Sequence, residues 1–223
     1  MTYGVIALLV IFQPELRRAL EQLGSSTFTK MFGMDKSLRD KTKEDIYKVA
    51  IATQELAKTK TGALIVFERD IKIQDIIETG VEINSVVSPQ LLVNIFVPNT
   101  PLHDGAVVIA NNQIVSAACI LPLTDDKEMA RGLGTRHRAA IGISKESDAV
   151  VVVVSEETGK VSIAKDGTLI ADVSEDALKR ILMKHLVTAR FGSEERTTRM
   201  SKLRGKVQAE KKKLQEKKAN RNK

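Results

Sequence analysis

Tryptophan is absent from the 223 residues, and aromatic residues make up only 4% of them. A core must therefore be built from Val, Ile, Leu and Ala, which fill space with branched aliphatic groups. A single cysteine, Cys119, excludes an intrachain disulfide and fits a reducing compartment. Long hydrophobic runs are missing too. The longest near the start, Val5 to Phe12, has eight residues, whereas crossing a bilayer takes about 20. It lacks the basic flank and small-residue cleavage site of a secretory signal. Two readings of this run remain: the last turns of a membrane helix, or a helix packed on the domain.

What is present describes a folded domain with a charged extension. The hydrophobic share is 43% and the charged share 28%, a globular composition. The net charge of +7 is unevenly spread: residues 196–223 carry twelve Lys or Arg against Glu210 and Glu216, a local +10, so the remainder carries −3. The basic character belongs to a tail. Such a run is solvated, and it could also approach acidic lipid or nucleic acid.

Periodicity sets out the elements. Ile46, Val49, Ala50, Thr53, Leu56 and Ala57 recur at helical spacing within Ser37 to Lys60. Ala63 to Phe67 and Ala149 to Val154 read as strands buried on both faces. Ile71 to Thr79 reads as helical. Ser88 caps a short helix with Pro89 in its first turn, ending near Phe96. Ala106 to Ala110 and Ile114 to Leu121 form a hairpin across Asn111-Asn112, and Lys160 to Lys165 pairs with Thr168 to Ala171 across Asp166-Gly167. Asp125 to Leu133 is a polar connection, Thr135 to Ile143 a helix, and Ser174 to Leu186 a closing amphipathic helix. The expected fold is α/β of the α+β kind: one domain with a central mixed sheet flanked by helices, an N-terminal helix and a basic C-terminal tail.

Two stretches depart from this core-and-surface pattern. His103-Asp104-Gly105 stands where a loop bounded by Pro98 and Pro101 enters a strand. A carboxylate beside glycine lets a ligand approach the backbone, and carboxylates hold Mg²⁺ or Mn²⁺ together with substrate phosphates. An ordinary Asp-Gly turn would look the same. The second stretch, Gly132 to Ala140 (GLGTRHRAA), places Thr135 at a helix start followed by Arg136, His137 and Arg138. Cations are disfavoured at that end of a helix unless an anion meets them there. An exposed basic turn balanced by surface carboxylates is the alternative. Together the two stretches suggest a nucleotide polyphosphate with a divalent metal. There is no Gly-x-x-x-x-Gly-Lys-Ser/Thr loop, no Gly-x-Gly-x-x-Gly after a strand, no Cys/His zinc cluster and no nucleophile elbow.

With Asp104-Gly105-Ala106 and Arg136-His137-Arg138, the chain resembles the diadenylate cyclase domain family. Gly62 to Val66 and Ser155 to Gly159 resemble further family segments in the same order, and the resemblance covers about residues 36–186. It is nearest the membrane-associated branch. By that likeness residues 1–23 are the end of a membrane-proximal helix and coiled segment, 24–36 a linker, 37–190 the catalytic domain and 191–223 a flexible basic tail. The full-length protein would be attached to the cell membrane with its catalytic domain in the cytoplasm.

The resemblance implies a nucleotidyltransferase that joins two ATP molecules into cyclic di-AMP with release of two pyrophosphates, across a face-to-face homodimer. Mg²⁺ or Mn²⁺ would be the cofactor, bound by Asp104 with help from His103. Gly105, Ala106 and Leu121 would lie against the nucleotide and Thr135 would reach the adenine. Arg136, His137 and Arg138 would hold phosphates, with Ser155 and Glu157 near phosphate or metal. Membrane lipid and regulatory proteins are expected partners; a specific nucleic acid is not. Two other readings compete: a nucleotide-sensing module without turnover, and an interaction protein acting through its basic tail.

Overall fold

The computed structural model describes residues 34–124 and 132–188. Val5 to Phe12, most of the expected linker, most of the polar connection after Thr124 and the basic tail lie outside the described residues. By compactness the chain divides into residues 1–41 and 42–223; the sheet and both of its cores belong to the second unit.

Helix α1 spans Met34–Lys58, starting three residues before the expected Ser37. Its Ile46, Val49, Ala50, Thr53 and Leu56 are buried, as their spacing requires. The buried Thr53 hydroxyl donates to the Val49 carbonyl at 2.7 Å, so no polar group is stranded. Strand β1, Ala63–Phe67, is buried along its whole length.

The segment Ile71 to Thr79 gives only a four-residue turn of helix, α2, Gln74–Ile77. Side chains take the backbone donors ahead of it: Asp148 accepts from the amides of Asp70 and Ile71, and Glu68 from that of Ile73. With those amides committed, the helix starts late. Strand β2, Val81–Val86, was not expected. It is an edge strand whose Val81-Glu82-Ile83-Asn84 alternation breaks at Ser85, with Asn84 at φ 47° where its register shifts. Helix α3, Pro89–Ile95, has Ser88 accepting from the Leu91 amide at 3.1 Å, as read from the sequence.

Strands β3 (Ala106–Ala110) and β4 (Gln113–Cys119) form the first hairpin. Helix α4 runs Thr135–Glu146 and strand β5 Val150–Val154. Strands β6 (Val161–Lys165) and β7 (Thr168–Ile170) form the second hairpin. Helix α5, Glu175–Leu182, is capped by Ser174 and continues as a π-helix over Met183–Thr188.

The seven strands lie in the order β2-β4-β3-β1-β5-β6-β7. The β1–β3 pair is parallel and the rest are antiparallel, so the sheet is mixed and the fold α+β. Strand alternation divides the core in two. Ala63, Ile65, Phe67, Val107 and Val152 share one cluster with residues of α1, α3 and α5. Leu64, Val66, Ala106, Val108, Val151 and Val153 share the other with Ala139, Ala140 and Ile143 of α4. The result is three layers, with α4 and Ile76 and Ile77 of α2 on one side of the sheet and α1, α3 and α5 on the other.

Candidate active site

The register of the central strands brings distant residues into one row. Ile65 is level with Val107, and Ala63 with Val154. Carried outward, the same ladders set Gly62 between Asp104 and Ser155. Ala106 opposite Cys119 sets Leu121 beyond Asp104, and the Ser155 amide donating to the Lys160 carbonyl at 3.0 Å sets Lys160 beyond Ser155. Strands lie about 4.8 Å apart, which puts the backbones of Asp104 and Ser155 about 10 Å from each other. Two residues inward, Cys119, Ala106, Leu64 and Val153 all face α4. Alternation turns the outer row toward the same side.

The start of α4 stands over this edge. A Cβ on Gly62 would lie 2.5 Å from Arg136 Nη1 and 2.9 Å from Glu156 Oε2. A side chain there would displace the guanidinium and the Glu156 carboxylate paired with it. A cleft of about 240 Å³ opens beside the helix start, walled by Gly134, Thr135, Arg136 and His137 on one side and by the Ser155 to Thr158 loop on the other. Lys160 and Asp172, an ion pair at 2.7 Å, also line it.

His137 Nε2 lies 3.4 Å from the Oγ of the buried Ser162. Burial pushes the His137 pKa below its ordinary value, against a smaller opposing pull from Glu157. The ligand-free cleft therefore holds a neutral imidazole at pH 7. Arg138 points elsewhere: it does not line the cleft, and its buried Nε has no hydrogen-bond partner among the described residues. A buried cationic donor left open in this way suits an anion.

The acidic stretch sits beside the cleft, not in its wall. Asp104 is exposed. His103 Nδ1 is 2.6 Å from the Thr100 carbonyl; since a carbonyl only accepts, Nδ1 carries a hydrogen, and the neutral ring in that tautomer presents Nε2 as the acceptor. Gly105 has φ +134°, and a Cβ there would fall 2.5 Å from the Ala118 carbonyl carbon. Ala118 itself is left-handed, at φ 54°, where the β3–β4 register shifts. Leu121 is buried against the α4 side of the sheet.

Of the residues expected from sequence, Thr135, Arg136, His137, Ser155 and Glu157 line the cleft. His103, Asp104, Gly105, Ala106 and Leu121 follow the adjoining edge of the sheet. Gly62, Glu156, Lys160, Ser162 and Asp172 were not anticipated as site residues. Gly62 reads in sequence as a helix stop, and only the fold reveals the guanidinium above it.

Comparison with known proteins names the arrangement. The family described as DisA bacterial checkpoint controller nucleotide-binding, abbreviated DAC, matches residues 50–169. The chain belongs to the diadenylate cyclase family. It is 50% identical over 188 residues to the diadenylate cyclase of Listeria monocytogenes, covering 84% of this chain and 68% of that one. With the cyclic di-AMP synthase CdaA of Bacillus subtilis it shares 51% identity over 183 residues, 82% of this chain and 66% of that one. A crystal structure of a double mutant of DacA from Staphylococcus aureus superimposes with a TM-score of 0.62 at 48% identity, covering 64% of this chain and 95% of that one. Of the two triplets that carry the sequence resemblance, Asp104-Gly105-Ala106 enters β3 from the outer row and Arg136-His137-Arg138 lies in the first turn of α4. Among the described residues, no helix is long and apolar enough to cross a membrane.

Proposed function

We propose that this chain is a diadenylate cyclase that condenses two ATP molecules into cyclic di-AMP and two pyrophosphates. The observation that supports this reading is the strand register, which when extended sets Asp104, Gly62 and Ser155 in one row at the sheet edge, with Arg136 of α4 over Gly62. The O3′ of each nucleotide forms a bond to the α-phosphorus of the other, the bond from that phosphorus to the bridging oxygen breaks, and pyrophosphate leaves. Such displacement needs positioning and charge neutralisation more than covalent catalysis. The α4 amides and Arg136 answer the phosphate charge in the cleft, the open Nε of Arg138 is left to an anion outside that wall, and Ser155 and Glu157 border the cleft from the β5 side.

The reaction depends on a divalent metal, for which we assign Mg²⁺ or Mn²⁺. Among the described residues no cluster of three His, Cys, Asp or Glu side chains could hold an ion by itself. Asp104 with His103 Nε2 offers two donors, which fits a cation completed by substrate oxygens. When bound, the metal lowers the pKa of the attacking hydroxyl and screens the developing charge. Asp104 would hold that cation and assist removal of the hydroxyl proton. Gly105, Ala106 and Leu121 border the nucleoside, and Thr135 reaches the adenine.

One chain offers one nucleotide site, so the symmetric product requires two chains facing each other. We assign catalysis to residues 37–190 and, by likeness to the relatives above, membrane attachment to the full-length protein. A solved structure 38% identical to this chain, with a TM-score of 0.55, is that of a hypothetical membrane spanning protein from Bacillus cereus.

The test is incubation with ATP and Mg²⁺ or Mn²⁺, followed by chromatography for cyclic di-AMP. The wild type yields product, and Asp104→Asn yields none while keeping its circular dichroism spectrum. ATP binding without product in the wild type would instead indicate a nucleotide-sensing module.

A further inference from the structure

Three segments far apart in sequence meet at one guanidinium. Arg136 lies in the first turn of α4, Glu156 in the loop after β5, and Gly62 leads into β1. Arg136 pairs with Glu156 through Nη1, and both occupy the space that a Cβ on Gly62 would take. The Arg136 side chain is 23% exposed and that of Glu156 63%, so the cation lies within the wall and the carboxylate reaches it from the solvent side. A guanidinium has five N–H donors. Pairing through Nη1 leaves those on Nη2 and Nε for an anion in the cleft that Arg136 lines.

We propose that Glu156 is a positioning residue: it holds Arg136 against Gly62 so that the remaining donors meet the nucleotide's phosphates. An exposed ion pair adds little to folding stability, but it limits the rotamers of a long side chain. Placing a charged group before the ligand arrives removes that ordering from the cost of binding. The missing side chain at Gly62 makes the arrangement possible, because it is the space that guanidinium and carboxylate share. The inference rests on the cyclase reading only in taking ATP as the ligand.

The test is ATP affinity in the presence of the divalent metal, measured by calorimetry. Glu156→Gln weakens ATP binding about three- to tenfold, raises KM to match and leaves kcat within about twofold, because the phosphate charge is present before and during reaction. Gly62→Ala displaces Arg136 from the other side and weakens binding similarly, with the melting temperature of both variants near that of the wild type. In an Arg136→Ala background, titrated to high nucleotide concentration, Glu156→Gln changes affinity no further. Tighter ATP binding by Glu156→Gln would show a carboxylate that competes with phosphate and would overturn the proposal. An undiminished loss in the Arg136→Ala background would show that Glu156 acts alone, with the same consequence. A wild type that binds ATP but forms no cyclic dinucleotide would end the cyclase reading and leave this inference standing.

Discussion

His137 is held half-buried beside Ser162, and burial lowers its pKa. The unfolded chain binds a proton on this residue at about pH 6.5, while the folded, ligand-free chain does so only at lower pH. Stability is therefore lost as pH falls through that window, since the unfolded state then holds more protons. His185 has a pKa lowered by burial and by Lys165, Lys184 and Arg69, and it adds to the same trend. A triphosphate in the cleft supplies the opposite field and draws the His137 pKa upward. ATP binding near pH 6 should thus take up protons, read as a dependence of the calorimetric enthalpy on buffer ionisation heat. His137→Gln should remove most of that uptake; an unchanged uptake would show that the proton goes elsewhere.

Single helices in this fold are held by contacts whose signals are local. Helix α3 has seven residues and too little length to persist by itself. Its Leu92 and Ile95 reach the core, and Ser88 closes its first turn. Ser88→Ala should cost about 1 kcal/mol in urea denaturation, and Ser88→Gly only a few tenths. Equal losses would mean that the hydroxyl caps nothing. The Ser–Pro pair made this helix readable in sequence. Helix α2 was overread for a reason no periodicity could reveal: the carboxylates of Asp148 and Glu68 reach its leading amides from other segments. Strand β2 was missed because its alternation lasts only from Val81 to Asn84 before the register shifts.

At the scale of the whole molecule, the site is built across strands β4, β3, β1 and β5 and crowned by α4. Each chain carries one such site, and the product contains two nucleotides. Cyclic di-AMP formed per milligram of protein should therefore fall as the protein is diluted, with the rate approaching second order in chain concentration below the dimer's dissociation constant. A rate strictly proportional to chain concentration, at dilutions where light scattering reports a monomer, would exclude catalysis between two chains.

Sequence by itself determined the central elements and the type of chemistry. The aliphatic runs Ala63–Phe67 and Val150–Val154 make buried strands, Asn-Asn and Asp-Gly make turns, and two arginines around a histidine at a helix start call for an anion. What only the tertiary structure decided was which residues share a neighbourhood. The parallel β1–β3 pairing and the order of seven strands arise from long-range ladders, which leave no local trace in the chain. Those ladders set Gly62 between Asp104 and Ser155, and the packing of α4 above them turned a helix-stopping glycine into the floor beneath Arg136. Side-chain chemistry is written residue by residue; proximity exists only after the strands have paired.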